Sequence, residues 1–165
     1  MRVFDPKFRN NKLRYVGQTF MGAIGVTAAL LIFDVVNQPV IIASLGASGF
    51  TAFSAPHRET AGPRHLVGGY IIGIAVGCAL HYLADIPVNT YMEQKALHLL
   101  ACAIAFSLAM FLMAITSTEH APAAAIAIGF VLNVWTIHTV IFVMAGIIVI
   151  AIMQRLMKRW MMDLV

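Results

Sequence analysis

The sequence predicts an all-α integral membrane protein: a polytopic bundle of four long spanning helices plus two short or discontinuous ones. Three observations carry that expectation. Sixty-one per cent of the 165 residues are hydrophobic and only 11% are charged, with a mean hydropathy of +0.86, far outside the range of soluble domains. The apolar residues fall into six runs of two length classes. The charged residues gather at the ends of those runs, as they do where hydrocarbon excludes them. No linker or low-complexity stretch separates the runs, so residues 1–165 read as one integral membrane domain. Net charge is +4, but the basic residues flank apolar spans, which fits membrane orientation and gives no reason to expect nucleic acid.

The elements follow in order. Residues 1–15 hold Arg2, Lys7, Arg9, Lys12 and Arg14 with Phe4 and Phe8 interleaved, and read as a cytoplasmic interfacial segment. Val16 to Val36 is long enough to span and lacks a small-residue cleavage site, so it is expected to be retained. Asp34 near its end reads as an interfacial acid, or alternatively as a pathway residue. Asn37 can cap the next helix and Pro39 suits its first turn. The run Pro39 to Phe53 is short for a perpendicular span and carries Ser44, Ser48 and Thr51 on one helical face.

A polar segment follows, with His57, Arg58, Glu59, Arg64 and His65 in ten residues. Leu66 to Leu83 is the next span. Gly69, Gly73 and Gly77 form a flat strip on it for close helix packing, and His81 continues that strip as a structural histidine donating to a backbone carbonyl. The loop Ala84 to Gln94 is acidic. Ala96 to Ile115 spans, with Ala101, Ala105 and Ala109 as its small-residue strip. A second polar cluster, residues 116–122, then opens the short run Ala123 to Leu132, which at 1.5 Å per residue covers only about 15 Å. Trp135 to Met153 is the last span, and residues 154–165, with Arg155, Lys158, Arg159 and Trp160, form a cytoplasmic tail. Cys78 and Cys102 lie inside apolar runs and form no disulfide framework or metal pattern.

The short runs can cross the bilayer or re-enter it. Crossing leaves every Lys and Arg except Lys95 on one side, so the charge rule favours six crossings with both termini cytoplasmic. Each half of the chain is then a long, short, long triplet. Pro39 and Gly46 match Pro122 and Gly129 in spacing, the pattern of a 3+3 inverted repeat with its site where the halves meet. Chance is the competing explanation, because both residues are common in membrane helices.

Residues 45–48 (LGAS), 55–57 (APH), Pro63-Arg64 followed by Gly68-Gly69, and residues 120–125 (HAPAAA) together resemble the HPP family of integral membrane proteins across most of the chain. The resemblance implies a membrane-helix fold, usually described with four helices. It also implies a role like that of members implicated in nitrite transport. A prokaryotic plasma membrane is the expected location. Four positions depart from the family pattern: Ala121 replaces the middle proline, Ala124 a glycine, Ile126 lies where a threonine is expected, and Tyr70 replaces a histidine after the paired glycines.

The functional expectation is transport of a small inorganic anion, nitrite above all, with helix starts at Pro39 and Pro122 supplying free amides and positive dipole ends. Ser44, Gly46, Ser48, Arg64, His120 and Pro122 are the expected substrate contacts, and Glu119 with His120 the expected groups for proton coupling. Each has a plainer alternative. The serines can bond the preceding turn, Arg64 can mark the interface, and His120 can cap or pack a helix. Two other classes compete: a structural or assembly subunit held by the small-residue strips, and a haem-binding redox protein using His81, His98, His120 and His138, whose spacing offers no support. No nucleophile elbow, HExxH pair or phosphate loop is present, so an enzyme is not expected, nor a metal or cofactor. The bilayer and the anion are the expected partners, with homo-oligomers favoured by exposed small-residue strips.

Overall fold

The structure is a computed structural model that describes residues 11–31 and 39–164. Six α-helices account for most of them: α1 (Lys12–Leu31), α2 (Pro39–Ser54), α3 (Pro63–Ala84), α4 (Tyr91–Thr116), α5 (Ala121–Leu132) and α6 (Ile137–Met157), with no strand among the described residues. Three of them, α3, α4 and α6 with the turn that follows it, are long and apolar enough to cross a membrane. The first expected span is helical from Lys12, and its residues 32–36 lie outside the described ones, as do Asp34 and Asn37.

Successive helices alternate in direction. Arg64 at the start of α3 reaches the Thr116 carbonyl at the end of α4, Gln154 near the end of α6 reaches the Pro56 carbonyl, and Gln18 in α1 reaches Met162. One end of the bundle therefore gathers Lys12, Arg14, Arg58, Arg64, Arg155, Lys158 and Arg159; Lys95 stands near the other, beyond the loop that carries Asp85. We call these the basic end and the far end.

The short helix α5 sits at the centre, enclosed by α2, α3 and α4. Its small residues and the glycine strip of α3 explain the fit. A Cβ built on Gly77 would lie 2.6 Å from the Phe130 Cβ, one on Gly69 would lie 2.9 Å from the His120 Cβ, and one on Gly73 would overlap the Ala123 carbonyl oxygen. Backbone thus lies against backbone along the whole of α5, the arrangement that small residues permit between membrane helices. Ala101, Ala105 and Ala109 of α4 are fully buried, as their spacing predicts. At the far end His81 bonds the Val131 carbonyl through Nδ1 at 3.0 Å, the structural role read from its place on the strip.

Several boundaries differ from expectation: α1 already includes Lys12 to Tyr15 and α3 already includes Pro63 to His65. Tyr91 to Gln94 belong to α4 and not to the preceding loop, because Thr90 and Glu93 form a reciprocal capping box that starts the helix early. The last helix continues to Met157 and a 3-10 turn at Lys158–Trp160, so part of the expected tail is helical. The remaining tail folds back over the basic end. The Gln18 side chain accepts from the Met162 N–H at 3.1 Å and donates to its carbonyl at 2.7 Å and to that of Phe53. The Leu164 N–H donates to the Ser54 carbonyl at 2.7 Å, and the Asp163 carboxylate accepts from the His57 amide at 2.9 Å.

Candidate functional site

Three polar side chains from three elements form a hydrogen-bonded chain within the apolar interior. Ser48 Oγ of α2 lies 2.9 Å from the Tyr70 hydroxyl of α3 and 2.8 Å from His120 Nε2, the residue that precedes α5. Ser48 and Tyr70 are fully buried and His120 is 3% exposed. Buried polar groups need partners in so apolar a setting, and these supply one another.

Local structure explains how they meet. At the end of α4 the chain turns inward through Ser117, whose φ of 50° and ψ of 53° lie in the left-handed region. That conformation costs a non-glycine residue about 1–2 kcal/mol. The Thr118 N–H donates to the Met113 carbonyl and the Ser117 N–H to that of Ala114, closing the helix end. The reversal lets α5 begin level with Gly69, six residues into α3 and so about 9 Å beneath its start. Ser48 is six residues before the end of α2, the same depth. His120 does not cap α5 with its side chain, because the imidazole is turned toward Ser48.

Between this trio and the surface stand His65 and Glu119. His65 is buried, Glu119 has a side chain 54% exposed, and His65 Nε2 lies 3.5 Å from Glu119 Oε2. His65 and Gly69 are one turn apart on the same face of α3, and Gly69 packs on His120, so His65 stands one turn nearer the surface than His120. The Thr60 carbonyl also faces the His120 ring.

The sequence-predicted residues separate into groups. Ser48 and His120 meet, with Glu119 at the approach. Ser44 bonds the Val40 carbonyl within its own helix at 2.9 Å. Gly46 has open space where a side chain would stand and touches none of the trio. Pro122 faces a shallow groove between α2 and α5 that Pro39 and Ser44 also line. Arg64 is exposed and its guanidinium caps the last carbonyl of α4 at 2.9 Å, an interfacial role. The expected pairing of two helix starts is corrected: α2 and α5 run antiparallel, Val40 beside Gly129 at one end and Ser48 beside His120 at the other. Among the amides that open α5, Pro122 has none and that of Ala123 bonds the His120 carbonyl. Tyr70 and His65 were not among the expected contacts. The signal for Tyr70 was its departure from the family pattern, and for His65 its place in the polar segment.

A family model described as HPP, transmembrane region, matches residues 9–163. Two transmembrane proteins of Dictyostelium discoideum are similar: one is 33% identical over 98 residues, covering 59% of this chain and 32% of the relative. The other is 35% identical over 88 residues, covering 53% and 26%. The chain thus spans about a third or less of the length of these relatives. No solved structure matches.

Proposed function

This chain belongs to the HPP transmembrane family, and from that premise we propose that it carries a small monovalent anion, nitrite or one like it, across the membrane through the site at Ser48, Tyr70 and His120. The buried trio is the observation that supports this reading. Two hydroxyls and an imidazole converge from three elements at one depth in an otherwise apolar interior, where polar side chains are costly and mark substrate pathways. An anion seated among them accepts from the Tyr70 and Ser48 hydroxyls and from His120, replacing part of its hydration shell. All three are enclosed, so the reading is a carrier that opens and closes around its site and not a standing pore.

The bundle is read as six crossings in a 3+3 inverted repeat, with α2 and α5 as the antiparallel short helices of the two halves and the basic end in the cytoplasm. Cysteine placed at Glu59 then reacts with an impermeant thiol reagent from the cytoplasmic side alone. The small-residue strips that favoured a homo-oligomer are buried within the chain at Ala101, Ala105 and Ala109, and the apolar face of α4 is what a spanning helix shows to lipid; native mass spectrometry in mild detergent reads the oligomeric state.

Counterflow of labelled nitrite in proteoliposomes, with nitrate, chloride, potassium and a neutral solute for comparison, tests the function. Saturable nitrite exchange that falls about tenfold in a folded His120→Ala variant supports it. A second reading, a structural or assembly subunit, has one observation in its favour: the trio is self-satisfied and so can serve as packing glue. Absence of anion exchange together with a stoichiometric co-purifying partner would decide for that reading.

A further inference from the structure

The side chains beside the trio form a graded line of protonatable groups from surface to interior. Glu119 is exposed, His65 is buried 3.5 Å from it, His120 packs on Gly69 one turn of α3 further in with no hydrogen bond to His65, and Ser48 and Tyr70 continue inward at hydrogen-bond distance. The other charged groups nearby face away: Arg64 is exposed and bonds the Thr116 carbonyl, and Arg58 and Glu59 are exposed on the connecting turn. Thr60 presents only its carbonyl to the imidazole.

We infer that this line is a proton path, with His65 as the relay between Glu119 and His120, and that each anion crosses with one proton. The inference rests on the transport reading and adds the ion it is coupled to. The chemistry balances. A proton from the aqueous side binds the Glu119 carboxylate, passes to the His65 imidazole, and crosses the gap beside Gly69 to His120 Nε2 once Ser48 turns its hydrogen away, restoring both relays. Before transfer His120 Nε2 accepts the hydrogen of Ser48, whose oxygen accepts that of Tyr70. Afterwards His120 Nε2 carries the proton, and Ser48 turns to accept it. Only hydroxyl rotations are needed at Nε2, because its partner is a hydroxyl. The imidazolium then offers a positive charge to the anion. The loaded site is neutral, which is the form that an apolar interior admits at least cost.

Exchange and net transport respond differently to such a path. In counterflow the loaded carrier returns loaded, so no proton need leave. Net uptake requires loading and unloading of a proton in every cycle. Full-length protein in liposomes containing pyranine, given a nitrite jump, should acidify the lumen faster than protein-free liposomes and generate no current on a solid-supported membrane. His65→Gln should slow that acidification about tenfold or more while leaving nitrite counterflow unchanged. Glu119→Gln, at an exposed position, gives a smaller slowing and keeps the test available if the His65 variant does not fold. Counterflow accompanied by a nitrite current of one charge per anion, or equal acidification in both variants and the parent, overturns the coupling and leaves the transport reading standing. No counterflow in the parent protein overturns both.

Discussion

Two histidines hold opposite ends of the same short helix, and their partners differ. At the far end His81 Nδ1 bonds the Val131 carbonyl at 3.0 Å, while Nε2 stands 3.4 Å from Asp85 beside the Trp135 ring. Near the basic end His120 Nε2 bonds a serine hydroxyl that in turn bonds a tyrosine hydroxyl. A backbone carbonyl can only accept and cannot rotate, so Nδ1 of His81 is limited to donating and works as a staple. A hydroxyl donates or accepts, so the bond at His120 can reverse without moving the backbone. His120 is buried and His81 half-buried; the chemistry of the partner separates a fixed bond from one that can reverse.

The strongest way to break this comparison is to remove the interface that carries both ends. A side chain on Gly73 meets the Ala123 backbone midway between the histidines. Gly73→Leu should leave little monodisperse protein on size-exclusion chromatography, and Gly73→Ala should destabilise by about 1–3 kcal/mol. Next in size, Ser48→Ala strands two buried partners at once. A loss of about 1–3 kcal/mol in thermal or denaturant unfolding is expected, together with a loss of flux. The pair His81→Ala and His120→Ala sharpens the contrast directly. Removing His81 should cost about 1 kcal/mol and leave nitrite flux per folded molecule unchanged, whereas removing His120 should lower that flux about tenfold at a similar stability cost. Equal flux loss in the two variants would erase the distinction. The smallest effect belongs to Arg64→Gln, which loses an exposed helix cap: stability should move by less than about 1 kcal/mol and flux not at all. A tenfold fall in flux there would return Arg64 to the site.

Much of the bundle was legible in the residues. The runs at Pro39, Leu66 and Ala123 became α2, α3 and α5 close to their expected bounds, because hydrophobic length and proline position act locally. The glycine strip and His81 were readable for the same reason: a four-residue spacing on one helix states that a neighbour approaches there without naming it. The site was less legible. Ser48 and His120 are 72 residues apart, and nothing local says that they meet. Tyr70 lies among apolar residues, and its departure from the family pattern marks the position without saying what it meets. The helix starts at Pro39 and Pro122 looked alike, yet whether two such starts converge depends on the direction of each helix, which alternation of the whole chain decides. Arg64 fitted both a pathway and an interface until the Thr116 carbonyl appeared beside it.

The strap over the basic end sets an order on how the protein is made. Gln18, buried in the first helix, finds its Met162 partner 144 residues later. At ribosomal rates of about 5–20 residues per second the interval is on the order of ten seconds. During that interval the amide of Gln18 has only Phe53 among these partners, and the turn at Pro56 lacks Gln154. The contacts that tie α1 and the Pro56 turn to the tail thus form only once residues 154–162 have been made.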